Sequence, residues 1–464
     1  MPLSSSRPLS PEVSVALLSL YKPIARIPQQ LFVLARLRSE QEPEPTQQQQ
    51  PVHLTVALDR SGSMQGRKIE AALATMSALV EELGPEDRFA LVSFSNSAEV
   101  AVRPCAMTAQ AKNLVRAALA GIVAHGGTDL SGAILLALAL GREEASAGPR
   151  HVIVLTDGEP TTGVTDDGQI LKLAGGAMGE ATLSTFGYGD DVRSELLGRL
   201  SDLGKGNYHF VEGTEPPVEA FASELGRQRS LLGVEVSLRL EVGSGVRLVY
   251  LPSFSRRLTE APGHVELALP ALLPSDSRAI VIGLEIEPQA LAGNGVTPWV
   301  SATLRYRSMA DGELRAEKAT LVPVLADERG AMVQEVAREL VIQRAAELMR
   351  EAGQRTPAEL RAQEEKLAAL AAEAGLGTDG AVAHALSLLH RIAEGMRSEG
   401  ARKSTTAQAA SMARGVYHRE VTSVAMPGYS KPGTAKYAEK MRRTMSGMSG
   451  EGEKEPPKKP GEGN

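Results

Sequence analysis

Between residues 52 and 229, short apolar runs alternate with helical patterns, and this alternation restricts the chain more than any other feature. Residues 52–58, 89–94, 151–156, 181–186 and 207–211 read as strands, with 100–102 as another beyond the turn Ser95-Asn96-Ser97. Residues 68–83, 108–119 and 130–140 have helical spacing. A strand that is apolar at successive positions is buried on both faces. The pattern therefore predicts an α/β fold, a doubly wound and mostly parallel sheet with helices over it.

The flanking segments change period. Val234, Val236, Leu238, Leu240 and Val242 alternate with Glu235, Ser237, Arg239 and Glu241, and Val300, Ala302, Leu304 and Tyr306 alternate with Ser301, Thr303, Arg305 and Arg307. Such alternation marks antiparallel strands with one buried face, so residues 230–326 are expected to form an antiparallel β-sandwich. Residues 13–18 and 31–37 read as strands that would complete it, which would make the α/β domain an insertion. Within 40–51, glutamines and prolines offer nothing to bury and read as a linker. Residues 327–400 turn helical, with Thr356-Pro357-Ala358-Glu359 as a helix start. From 401 to 464 there are twelve basic and six acidic residues, a net +6 that leaves −12 for the rest. This basic tail is expected to be largely disordered. The predicted order is thus N-terminal strands and linker 1–51, α/β domain 52–229, sandwich 230–326, helical region 327–400 and tail 401–464.

Fifty basic against 56 acidic residues, a net charge of −6, argue against a nucleic-acid protein working through bulk positive charge. Cys105 is the single cysteine, so neither an internal disulfide nor a thiolate metal cluster is available. That usage fits a reducing compartment. No basic and apolar leader opens the sequence, and no run reaches the roughly 20 apolar residues that a membrane span needs. A cytoplasmic protein without a membrane span is expected.

In an open parallel sheet, ligands bind beyond the carboxyl ends of the strands. There the sequence has Asp59-Arg60-Ser61-Gly62-Ser63 after the first strand, Gly126-Gly127-Thr128-Asp129 before a helix, and Thr156-Asp157-Gly158 after a later strand. Asp59, Ser61, Ser63, Thr128 and Asp157 together offer carboxylates and hydroxyls, all hard oxygen donors. Such a set suits Mg²⁺ or Mn²⁺, with water completing an octahedron. Taken singly, each residue has an ordinary role: Asp59 and Ser63 as helix caps, Asp157 in an Asp-Gly turn. Their conjunction on one edge favours the metal.

These three pieces, in this order and spacing, resemble the metal-ion-dependent adhesion site of von Willebrand factor A domains, and the resemblance covers about residues 52–229. It implies that Ser61, Ser63 and Thr128 contact the ion directly, that Asp59 and Asp157 bind it directly or through water, and that a Glu or Asp of a partner protein completes the shell. The expected function is metal-dependent protein–protein interaction. Two alternatives are an accessory subunit of an AAA+ ATPase used in maturation or metal insertion, and a structural assembly protein. No enzyme is expected. Ser61 stands where an aspartyl-phosphate phosphatase would have its second Asp, Ser63 lacks the Gly-x-Ser-x-Gly elbow, and no P-loop is present.

Overall fold

A computed structural model describes residues 13–39, 51–143, 149–189, 192–211, 217–252, 256–261, 263–292, 297–396, 439 and 441–442. They divide into two units. One is drawn from Met1–Gln50, Ser194–Gly206 and Ser230–Tyr429, the other from Pro51–Arg193, Asn207–Arg229 and Ser430–Asn464.

The second unit is built on a six-stranded sheet in the order Lys205–Val211, Thr182–Tyr188, Arg150–Thr156, His53–Asp59, Arg88–Phe94, Ala98–Ala106. His53–Asp59 pairs in parallel with both Arg88–Phe94 and Arg150–Thr156, and the latter pairs in parallel with Thr182–Tyr188. The edge strand Ala98–Ala106 runs antiparallel to Arg88–Phe94, returning through a tight turn. The central strands carry apolar runs because helices cover both faces: Val56, Ala57, Leu58, Ile153, Val154 and Leu155 are all buried. The helices are Arg67–Glu82, Ala109–Ala120, Leu130–Glu143, Asp167–Ala177 and Val218–Arg229. Capping sets several of their starts: Thr108 accepts from the Ala111 amide, and Asp166 from that of Gln169.

A buried carboxylate fastens the last of these helices to the sheet. Glu224 accepts from Ser184 Oγ at 3.1 Å and from Asn207 Nδ2 at 2.6 Å. His209 Nε2 lies 2.7 Å from one of its oxygens and His151 Nε2 lies 3.1 Å from the other. His151 in turn contacts Thr182 Oγ1 at 2.6 Å, and His209 stacks on Phe186. Burial alone would push the Glu224 carboxyl up, but the contacts and charge of the two histidines together hold it well below the usual range. Of the predicted tail, only Glu439, Met441 and Arg442 are described. Met441 is fully buried in this unit's apolar core, and Arg442 pairs with Glu219 in the first turn of the same helix. The expected disorder of the tail otherwise lies outside the described residues, as does the linker at 40–50.

The other unit contains two antiparallel sheets. One has the order Val13–Ser19, Gln29–Ser39, Ser277–Ile286, Val246–Tyr250, and the other Arg256–Ala261, His264–Ala268, Gly233–Val242, Val300–Ser308, Leu314–Leu321. Residues 29–38 pair one by one with Ser277–Ile286, so strands on either side of residues 52–229 share one sheet. The helix Gln334–Arg350 lies against that sheet. Gln343 accepts from the Val281 amide at 3.1 Å and donates to the Ala279 carbonyl at 3.2 Å. Two further helices follow, Pro357–Glu373 and Gly380–Gly395. The first opens on a capping box between Thr356 and Glu359, as the sequence pattern predicts. Leu34, Ile282, Leu238, Leu304, Leu340 and Leu389 belong to one continuous apolar core. Among the described residues, no helix is long and apolar enough to cross a membrane.

Candidate metal centre

The candidate site grows out of strand register. His53–Asp59 and Arg150–Thr156 run parallel with Leu58 opposite Leu155, so their last residues emerge side by side. Thr156 Oγ1 donates to Asp59 Oδ2 at 2.5 Å, and the Ser61 amide donates to Asp59 Oδ1 at 2.8 Å. Past Asp59 the chain enters a single 3₁₀ turn, Gly62–Met64, which brings Ser61 Oγ to 3.0 Å from Ser63 Oγ. Ser63 Oγ donates to Asp157 Oδ1 at 2.7 Å. Asp59, Ser61 and Asp157 are buried.

Thr128 arrives on a separate loop that is stitched to the first. The Gly62 amide donates to the Gly126 carbonyl at 3.0 Å, and the His125 amide to the Arg60 carbonyl at 2.7 Å. Asn96 Oδ1 accepts from the Gly127 amide at 2.7 Å, and Thr161 Oγ1 from the Thr128 amide at 2.8 Å. Gly126 has φ +81°, a conformation that favours glycine. At Gly158 an added Cβ would lie 3.2 Å from Ser63 Oγ and 3.6 Å from Thr128 Oγ1. The two hydroxyls therefore flank one small space that glycine leaves clear. All five residues singled out in the sequence are thus brought to this edge: four by a continuous chain of contacts, and Thr128 across Gly158.

The electrostatics are those of an under-compensated anionic site. Burial pushes the Asp59 carboxyl up to about 6; the hydrogen bonds from Thr156 and Ser61 oppose this, and the charge of Asp157 adds to it. Lys68 Nζ sits on Asp157 Oδ2 at 2.5 Å. No nitrogen or sulfur ligand occurs among the five residues. Two buried carboxylates with three hydroxyls form a donor set that fits a hard divalent cation and not a thiophilic one.

Four supporting residues were not singled out by sequence reasoning. Thr156 stands next to Asp157 in the motif, but that its hydroxyl points at Asp59 depends on the register of two strands. Lys68 reads only as the start of a helix. Asn96 reads as a turn residue and Thr161 belongs to none of the motifs, although each anchors the Thr128 loop. Asp129, the last residue of Gly-Gly-Thr-Asp, serves the following helix instead, accepting from Ser131 Oγ and the Gly132 amide at 2.9 Å each.

A family profile described as the von Willebrand factor type A domain matches residues 54–159. The chain therefore carries a von Willebrand factor type A domain, a fold that mediates protein interactions. It is similar to inter-alpha-trypsin inhibitor heavy chain H4 of Homo sapiens, with 35% identity over 160 residues, 32% of this chain and 17% of that one. It is also similar to an uncharacterized protein of Synechocystis sp., with 26% identity over 278 residues, 57% of this chain and 63% of that one. It thus spans less than two thirds of each of these relatives. Among solved structures, a von Willebrand factor type A protein from Catenulispora acidiphila superposes with TM-score 0.64 at 18% identity, covering 82% of this chain and 90% of that one. The ArnB paralog VWA2 from Sulfolobus acidocaldarius superposes with TM-score 0.52 at 18% identity, covering 90% of this chain and all of that one (100%). At such identities the likeness is one of fold.

Proposed function

We propose that Asp59, Ser61, Ser63, Thr128 and Asp157 hold a divalent cation, Mg²⁺ or Mn²⁺, and that this site captures an acidic side chain of a partner protein. The observation that carries the reading is the contact chain from Thr156 through Asp59, Ser61 and Ser63 to Asp157, which gathers hard oxygen donors at one sheet edge. A bound cation supplies a Lewis-acid position for an incoming carboxylate. Ser61, Ser63 and Thr128 contribute neutral oxygens, so the residues do not cancel the ion's charge by themselves. Arg60, 2.5 Å from His125 and paired with Glu99 at 3.4 Å, and Lys68, paired with Asp157, border the site.

The reading is that of a binding protein. Asp59 is already engaged by Thr156 and Ser61, and Asp157 by Ser63 and Lys68, which leaves neither carboxylate placed as a general base. We read the two antiparallel sheets as one β-sandwich into which residues 52–229 are inserted, and residues 327–400 as a helical region. An accessory role on an AAA+ ATPase draws no support from the matched proteins.

The test is retention of proteins from lysate of the source organism on the immobilised chain, in Mg²⁺, in EDTA, and with Asp59→Ala. Retention by the wild type in Mg²⁺, lost in the other two conditions, is expected. Equal retention in all three overturns metal-bridged capture, and self-association that survives EDTA would then favour a structural assembly protein.

A further inference from the structure

We infer that Lys68 is a built-in counter-cation of this site: it holds Asp157 when no divalent ion is bound and lowers the affinity for the bare ion. The inference rests on the metal-site reading above and adds a residue to it.

Lys68 is the second residue of the helix Arg67–Glu82. Its side chain is 29% exposed, whereas that of Asp157 is 0% exposed, and the two meet at 2.5 Å. The other oxygen of Asp157 accepts from Ser63. Each oxygen of Asp157 thus has one partner, a hydroxyl on the side of the cluster and an ammonium on the other. The ammonium end also lies beside Gly189. A Cβ at Gly189, whose φ is +81°, would touch Lys68 Cε and Nζ at 3.5 Å. The tip of Lys68 is thus near the residue that follows the strand Thr182–Tyr188.

Two consequences follow from charge. A fully buried carboxylate without a counter-charge is costly, so Lys68 stabilises the metal-free arrangement. Once a divalent ion is bound, the same ammonium is a like charge on the far oxygen of one of its ligands. It repels the ion and draws off part of the charge that Asp157 offers. A lysine here keeps the site assembled without metal and prevents the ion from binding too tightly.

The experiment titrates Mn²⁺ into the full-length wild type, Lys68→Met, Lys68→Arg and Asp59→Ala, following free Mn²⁺ by electron paramagnetic resonance. Melting temperatures are recorded in EDTA and in saturating Mn²⁺. Lys68→Met keeps the length of the side chain and removes its charge. We expect it to bind Mn²⁺ about tenfold more tightly than wild type, to melt lower in EDTA, and to gain more from Mn²⁺. Lys68→Arg keeps the charge and is expected within about threefold of wild type. It also provides a folded comparison should Lys68→Met require Mn²⁺ to fold, a requirement that itself supports the inference. Mn²⁺ bound by the wild type, lost in Asp59→Ala and unchanged or weakened in Lys68→Met overturns the role of Lys68 and leaves the site standing. Wild-type binding no tighter than that of Asp59→Ala, with Lys68→Met equally weak, overturns the site reading and this inference together.

Discussion

Two of the carboxylates that the von Willebrand factor type A unit buries, Asp59 and Glu224, stand in opposite electrostatic states. At one end of the sheet, Asp59 is fully buried and its carboxyl is pushed up to about 6. Near the other end, where the strand Arg150–Thr156 begins, Glu224 is equally hidden yet held well below the usual range. Burial penalises both charges. The difference lies in what the protein puts beside them. Glu224 has two histidines, a hydroxyl and an amide; Asp59 has a hydroxyl, a backbone amide and a second carboxylate nearby. A buried carboxylate given many partners that favour its charged form is structural; one left short of them is, on the function proposed above, the place for a cation from outside.

The largest expected effect falls on the compensated end. Glu224→Ala leaves His151, His209, Ser184 and Asn207 without their common acceptor and loosens the helix Val218–Arg229. Loss of one partner from a buried pair costs about 3–5 kcal/mol. Urea unfolding with hydrogen exchange on that helix checks this: protection of residues 218–229 should fall. A variant within about 0.5 kcal/mol of wild type, the range of ordinary surface substitutions, would show that Glu224 does not fasten the helix.

Asp59 should respond with the opposite sign. Its folded-state pKa lies above the ordinary 3.8, so without metal the folded state holds a proton that the unfolded chain has lost. The contribution of Asp59 to stability is then full below about pH 4 and falls as pH rises toward about 6, by about 3 kcal/mol in all. Asp59→Asn keeps an acceptor for the Ser61 amide and removes the charge. In EDTA at pH 7 to 8 it should therefore raise the melting temperature, while in Mg²⁺ it should lose the gain that metal gives the wild type. A difference in melting temperature between Asp59→Asn and wild type in EDTA that does not grow between pH 4 and 6 would remove Asp59 from the list of poorly compensated groups.

The two ends also differ in how far the sequence revealed them. At the proposed metal end, Asp59 and Asp157 lie on short motifs that directly follow strands, so recognising an apolar run ending at Leu58 or Leu155 is enough to place them at the carboxyl edge of the sheet. Lys68 and Thr156 depend on the approach of particular side chains, which local spacing does not encode. The Glu224 cluster is invisible to periodicity. His151 hides in an apolar run, Asn207 and His209 occupy a strand, and Glu224 sits on a helix whose apolar positions are Val218, Phe221, Ala222 and Leu225. Only the order of the three strands brings them together. The same limit hid the strand Ser277–Ile286: its run from Ala279 to Leu284 is buried throughout and has no alternation, because it faces apolar neighbours on one side and the helix Gln334–Arg350 on the other.

A finer perturbation asks whether Asp59 is held near about 6 by the balance described or by some other group. Thr156 Oγ1 donates to Asp59 Oδ2 and opposes the effect of burial. In Thr156→Val that donor is replaced by a methyl group of similar shape, and the charged form loses a hydrogen bond. Such a bond to a charged group is worth about 1.5 kcal/mol at the low end, close to one pKa unit. On the proposed metal site, protons compete with the ion for Asp59, so Mn²⁺ affinity in the wild type should weaken below about pH 6. In Thr156→Val the onset should move up by about one unit, with affinity at pH 8 little changed. If the onset stays where it is, Asp59 is not the group that titrates, and the contrast with Glu224 would have to rest on geometry alone. If it moves, the contrast is one of compensation: a single hydroxyl at the metal end tunes what two histidines secure at the other.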